Sequence, residues 1–402
     1  MASTKTFVNC EKIDILFFDI PYSNLRRFGN EISKHLKAIE GNVSIGGIFC
    51  KAPPKNYDGC VFDSLFLRKD IKNIDLFFEK YHVQMLVLTN PRVPDQELML
   101  HAKKHHIKIV MLQEGIIFKG TNINDVSTKN ILSIFGKISS LAKTLKYLKI
   151  LHRMCKYDKK SYIGLLKKIL SEKINITLIT AEYFSEKLNA NFMYTMGHYW
   201  DSYFIDSLGY SESQLVLIGD HDLDGFEEPR KIENAICYVA NVLVEDGTIK
   251  KKDFLEFVGF LEKSIDKTTK LYVKLHPRSD IKLYKALNDH NVTFLRHEAL
   301  PNVKVYIGHR STLLGRALYI SDQLMLWRFK SEDICFYEKF ASAVCTNMAE
   351  LASAIDNSIS KEHSNEKRII IEDYYWWNKN GAFNTCAKHI HAYLKGEISS
   401  EK

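Results

Sequence analysis

The chain has 402 residues, of which 46% are hydrophobic and 26% charged, with 23 Phe and 20 Tyr against 8 Pro and a net charge of +8. That composition suits a folded globular protein of two ordinary domains and speaks against extensive disorder. The start, Met1 to Thr6, lacks an apolar signal core, and no run is long enough to span a bilayer. The eight cysteines are scattered without a Cys-x-x-Cys pair, which argues for reduced thiols in a cytosolic protein and against a zinc site or a disulfide framework.

Taken in order, strands and helices alternate. Lys12–Asp19 reads as a buried strand, followed by the loop Ile20–Asn24 and a helix near Leu25–Ile39. Asn42–Phe49 is a second strand, Lys69–Tyr81 a helix and Val83–Leu88 a third strand. Pro94-Asp95 opens a helix over Asp95–His105, and Ile107–Leu112 is another strand. Strands separated by helices of this length predict a parallel sheet covered on both faces.

The strand Ile107–Leu112 ends in Gln113-Glu114-Gly115. Gly115 lets the chain turn, so Glu114 is held at the carboxyl edge of the sheet, where ligands of open α/β sheets bind. A carboxylate there is a candidate general base. The plainer alternative is a strand-ending turn with a solvated Glu.

Lys137–Lys173 carries eleven Lys or Arg against two acids, a local balance of +9 that exceeds that of the whole chain. Leucines at helical spacing predict two basic amphipathic helices. Such a surface suits an anionic polymer, an acidic membrane or nucleic acid, or is simply a solvated face. Asp220-His-Asp-Leu-Asp-Gly225 imitates the first half of a calcium loop, but Lys231 stands where the bidentate Glu belongs, so it reads as an inter-domain turn.

The second half opens with the strand Ala235–Leu243 and the turn Val244-Glu245-Asp246-Gly247. Helix Lys252–Ile265 leads to the stretch Leu271–Asp280, a strand stopped by Pro277. It presents His276 and Arg278 at a sheet edge, and Lys274, two residues back, shares the face of His276. Imidazole and guanidinium there suit a phosphate; a strand end with ordinary punctuation is the alternative. Val292–Leu295 and Val303–Ile307 are further strands. Gly308-His-Arg-Ser311-Thr312 then opens a helix over Leu313–Tyr319, an arrangement that suits an anion or plain N-capping.

The assembled pattern resembles the GT-B bacterial sialyltransferases and polysialyltransferases. Their hallmarks are an acidic pair before Gly in the first domain, a His-Pro motif in the second, and a Ser/Thr pair further on. The matching residues are Gln113-Glu114-Gly115, His276-Pro277 and Ser311-Thr312, and the pattern spans roughly residues 10–390. Gln113 departs from the acidic pair, and Glu245-Asp246-Gly247 is a second match. The capsular Kdo transferases share a similar Glu-Gly and Lys-x-His-Pro arrangement.

The resemblance implies an α/β fold of GT-B type, two Rossmann-like domains facing across a cleft. Residues 1–225 would form an acceptor domain with the basic helices, 226–380 a CMP-sugar-binding domain, and 381–402 a C-terminal helix and tail. It implies transfer of sialic acid, or a related nonulosonic acid such as Kdo, from its CMP ester to a hydroxyl of capsule or lipooligosaccharide. Glu114 would be the base and His276 the donor to the leaving phosphate. Lys274, Pro277, Arg278, Ser311 and Thr312 would bind that phosphate. Glu245 and Asp246 remain an alternative base or donor contact. Lys156, Lys159 and Lys160 would meet the acceptor or another anionic polymer. No metal or other cofactor is expected, and no nucleic acid. The expected place is cytoplasmic, peripheral on the inner membrane or with a capsule complex. A non-catalytic binder of anionic polysaccharide is the reading from a different class.

Overall fold

Short apolar runs buried on both faces build both halves of the chain. In the computed structural model the described residues are 11–20, 22–50, 61–115, 138–172, 176–229, 231–289, 291–296, 298–329, 336–360 and 371–400. They form two compact units, Met1–Asp224 with Asn378–Lys402, and Gly225–Trp377.

The first unit holds β1 (Ile15–Asp19), β2 (Ile45–Phe49), β3 (Ser64–Leu67), β4 (Met85–Leu88), β5 (Lys108–Leu112), β6 (Phe192–Thr195) and β7 (Leu215–Leu217). Their order is β3-β2-β1-β4-β5-β6-β7, and every neighbouring pair is parallel. All five residues of β1 are buried, as a parallel strand with helices on both faces requires. The second unit holds β8 (Glu233–Val239), β9 (Leu271–Lys274), β10 (Val292–Leu295), β11 (Val303–Gly308), β12 (Gln323–Trp327) and β13 (Ala343–Cys345). Its order is β10-β9-β8-β11-β12-β13, again parallel throughout. In each sheet the order of winding therefore reverses once, between β1 and β4 in one and between β8 and β11 in the other. Ligands of doubly wound sheets bind beyond the strand ends at such reversals.

In the first unit the main helices are α1 (Asn30–Ile39), α2 (Ile74–Lys80), α3 (Val93–Lys104), α4 (Ile138–Tyr157), α5 (Tyr162–Glu172), α6 (Ile176–Tyr183) and α7 (Asp201–Leu208). The second has α8 (Lys251–Ser264), α9 (Leu313–Ile320) and α10 (Met348–Ser360). The chain then returns to the first unit as α11 (Ala382–Lys395). Phe383, Cys386, Ala387, Ile390 and Tyr393 recur at helical spacing and share a core with Ile32 and Leu36 of α1. Burying Phe383, Ile390, Ile32 and Leu36 contributes roughly 1.5–3 kcal/mol each. The helix start is capped from across the unit, since Ala382 N–H and Phe383 N–H donate to the Asp224 carboxylate at 2.5 and 2.9 Å. Glu40 at the end of α1 pairs with His391 and Lys395, 2.9 and 2.8 Å away.

The two basic helices predicted within Lys137–Lys173 are α4 and α5; Lys137 and Lys173 themselves lie outside the described residues. In α6, Ile179 and Thr180 are buried and the Thr180 hydroxyl donates back to Ile176 O at 2.8 Å. The helix predicted over Leu25–Ile39 begins with one π turn, Leu25–Gly29, before α1. The helix expected over Lys69–Tyr81 is shorter, because Asn73 caps it and its oxygen accepts from Asp75 N–H and Leu76 N–H. No described helix is long and apolar enough to cross a membrane.

Candidate active site

At the reversal of the first sheet, three strand exits contribute polar groups. β1 ends on Asp19, which is fully buried and accepts from the Thr89 hydroxyl after β4. The next turn supplies Arg92, whose Nη2 lies 3.1 Å from Asp19 and whose Nε lies 2.8 Å from the buried Asp95. One guanidinium is thus held between two buried carboxylates. Burial pushes Asp95 up to about 7 against the pull of Arg92.

β5 delivers Glu114 beside this network. Its two oxygens are held separately: Asn24 Nδ2 donates to Oε1 and Asn90 Nδ2 to Oε2. Burial raises the Glu114 pKa above its ordinary value, and the charge on Asp19 raises it further, while Arg92 and the two amides oppose the rise. A carboxylate with a fixed orientation and a raised pKa is suited to accept a proton from a hydroxyl. Gln113, where an acid was expected by resemblance, is buried and does other work. Its Oε1 accepts from Met196 N–H and its Nε2 donates to Gly115 O, both at 3.1 Å, tying the ends of β5 and β6. A carboxylate could not make the second bond.

The basic helix α4 lines one side of a cavity of about 340 Å³ in the same unit. Arg68, Lys69, Lys72, Lys146, Lys149 and Arg153 line it, and Glu97 is the one acid in its wall. Glu97 is bound by Arg68 at 2.9 Å and by Arg153 at 2.8 Å, so the rest of the wall is strongly positive. Lys156, Lys159 and Lys160 do not line it; they are exposed at the turn between α4 and α5.

In the second unit, β9 leads into His276. Its Nδ1 accepts from Arg278 N–H at 3.1 Å, so in the neutral imidazole the proton sits on Nε2. Burial lowers the His276 pKa, as does Arg278, which favours that neutral form. The loop around it is tied from three sides. Asp246 receives both arms of Arg278 at 2.6 and 3.0 Å, and Glu245 accepts from Asp280 N–H at 2.7 Å. Arg296 donates to Pro277 O at 2.8 Å and Ser279 O at 3.0 Å. Lys274 is buried, and its ammonium donates to Arg296 O and Glu298 O at 3.1 and 2.5 Å. Lys274, Glu245 and Asp246 therefore hold the His-Pro-Arg loop in place. Across β8, the exit of β11 brings Ser311 and Thr312 to the start of α9, where Thr312 makes no side-chain cap. Asn241 after β8 donates to Arg310 O at 2.6 Å and joins those two exits. His309 stays in the core, between Tyr238 OH and Trp327 O, both 2.9 Å away.

Residues 63–297, over half of the chain, match the model of the alpha-2,8-polysialyltransferase (POLYST) family. The chain belongs to that family. The matched span runs from β3 past β10 and so contains Glu114, the six cationic residues of the cavity and His276, but neither Asn24 nor Ser311 and Thr312. No curated protein matches the chain. Solved structures of the same fold include one assigned as a UDP-N-acetylglucosamine 2-epimerase from Listeria monocytogenes, 9% identical, with a TM-score of 0.55 and 96% of each chain covered. The UDP-GlcNAc 2-epimerase of Methanocaldococcus jannaschii is 11% identical, with a TM-score of 0.50 and coverage of 95% of this chain and 99% of that one. A UDP-glucosyltransferase from Polygonum tinctorium is 10% identical, with a TM-score of 0.53 and coverage of 96% and 99%. The fold is GT-B, and the family makes the protein a glycosyltransferase that uses a nucleotide-sugar donor and a glycan acceptor.

The POLYST match does not by itself point to Asn24, Asn90, Asp19 or Arg92, and neither did the sequence. Asp19 and Asn90 follow apolar strands, which was a readable hint. Only the strand order, with β4 between β1 and β5, brings them together around Glu114.

Proposed function

We propose that the protein transfers sialic acid from CMP-sialic acid to a hydroxyl of an anionic surface glycan, capsule or lipooligosaccharide. The observation that carries this reading is Glu114, a carboxylate gripped by two amides with its pKa raised, inside the span matched by the POLYST family. In the proposed reaction the acceptor oxygen bonds to the anomeric carbon of the sugar, and the bond from that carbon to the CMP phosphate breaks. The hydroxyl proton goes to Glu114. CMP leaves as an anion, and the Nε2–H of neutral His276 gives it a hydrogen bond rather than a proton. Ser311 and Thr312, at the start of α9, are the further donors we assign to that phosphate.

The positive cavity supports an acidic acceptor. Six cationic side chains around 340 Å³, with one acid already bound by two of them, favour a chain of carboxylated sugars over a neutral glycan. A donor screen tests the reading: nucleotide release is measured with CMP-sialic acid, CMP-Kdo and UDP-sugars in turn. Release from CMP-sialic acid alone is expected. Preference for CMP-Kdo would replace the sugar in this proposal, and retention of anionic glycan with no release from any donor would make the protein a binder.

A further inference from the structure

The turn after β7 reads Asp220-His221-Asp222-Leu223-Asp224-Gly225, and its alternating acids are not all used alike. Asp224 caps α11. Asp220, His221 and Asp222 stay together, with one ligand atom from each lying within 4.8 Å of the others. His221 Nδ1 is 3.8 Å from Asp220 Oδ1, and its Nε2 is 3.9 Å from Asp222 Oδ1.

Clustering alone would carry nothing, but two of these side chains also hold buried polar atoms without a hydrogen bond. They are Asp220 Oδ2 and His221 Nε2. Their residues are only 1% and 9% exposed. The other Asp220 oxygen takes Asp222 N–H at 3.0 Å. His221 cannot swing away easily, because its ring packs against Phe28 at 4.7 Å and Phe383 at 5.7 Å. Buried polar groups normally have partners, and His221 Nε2 faces the Asp222 carboxylate 3.9 Å away without a hydrogen bond, so these two orphans within one cluster point to a missing ligand.

We propose that Asp220, His221 and Asp222 form a site for one divalent ion of the zinc class, which fixes the turn after β7. An imidazole with two carboxylates is a borderline donor set that suits zinc better than calcium or magnesium. Zinc bonds of roughly 2.0–2.2 Å place neighbouring ligand atoms about 3.4 Å apart, so the three ligand atoms, now within 4.8 Å of one another, must draw together around the ion. Water would complete the tetrahedron. Arg27 is the built-in competitor, because its guanidinium pairs with Asp222 Oδ1. The site is structural and takes no part in the transfer.

The test uses the full chain stripped with chelator and then dialysed against zinc alone. The expected result is one tightly held equivalent and a higher melting temperature with zinc than without. Asp220→Asn and His221→Phe, the second keeping a ring between Phe28 and Phe383, should each weaken binding at least tenfold and remove the thermal shift. Arg27→Gln should bind zinc more tightly than the parent, and it serves if either ligand variant fails to fold. Absence of a stoichiometric zinc in the parent overturns the site. So does undiminished binding by folded Asp220→Asn and His221→Phe, or unchanged or weaker binding by Arg27→Gln.

Discussion

Glu114→Gln removes the proposed base with almost no change of shape. Asn24 and Asn90 each donate to one Glu114 oxygen, and a glutamine offers one oxygen and one amide nitrogen, so one asparagine must turn its amide over. That exchange trades one hydrogen bond for another, worth about 0.5–1.5 kcal/mol either way. Stability should not fall at neutral pH. The Glu114 pKa is raised in the fold, so its ionised form costs the folded state stability as pH rises from the ordinary value of 4.5 through the folded one, and glutamine removes that cost. Catalysis should fall much further. Loss of a general base costs roughly 10²–10⁴-fold, or about 2.7–5.4 kcal/mol of barrier. The assay is the rate of sialyl transfer at saturating donor, followed against pH, alongside CMP affinity and the melting temperature. In the parent, activity should climb with pH through a value above the ordinary Glu range as the base loses its proton, and the variant should lack that limb. A variant that transfers within a few-fold of the parent, or that keeps the same acid limb, refutes the assignment of Glu114 as the base.

Three further outcomes follow from the site. His276→Ala should lower turnover on the order of a hundredfold, and His276→Asn should keep more activity because its amide can still donate one bond; near-full activity in the alanine variant removes this histidine from the mechanism. Asp246→Asn and Glu245→Gln should loosen the loop around His276 and raise the donor KM with less effect on kcat, at little cost in stability since the Arg278 pair is exposed. If Asp246→Asn is dead in transfer while CMP still binds, the catalytic carboxylate belongs to the second unit. Lys146→Glu with Lys149→Glu should raise the KM for an anionic acceptor and flatten its salt dependence, leaving acceptor-free release of CMP unchanged; the same reversal at the exposed Lys156, Lys159 and Lys160 should do less, and equal loss of both activities would indicate a folding defect instead.

Much of the architecture was readable because parallel strands write themselves as short apolar runs. Val292–Leu295 falls on β10 to the residue, and β5 ends where the Gln113-Glu114-Gly115 turn predicted. Strands as brief as Ser64–Leu67 and Leu215–Leu217 gave too little pattern to separate from their flanks, and Gln323–Trp327 follows α9 after only two residues, Ser321 and Asp322. The candidate base was legible because its strand and turn are local. Its partners were not, since Asn24 and Asn90 lie 90 and 24 residues away and reach it only through sheet order. Likewise the lysine excess of Lys137–Lys173 was plain in the composition, but the face that joins Arg68 and Lys72 depends on how α4 packs.

Whether this POLYST-family protein adds sialic acid to a glycan is read most directly from the mass of a defined sialylated oligosaccharide after incubation with the purified protein and CMP-sialic acid. Products heavier by one or more sialyl residues are expected from the parent and not from Glu114→Gln. An acceptor of unchanged mass, with or without release of CMP, would contradict the proposed transfer.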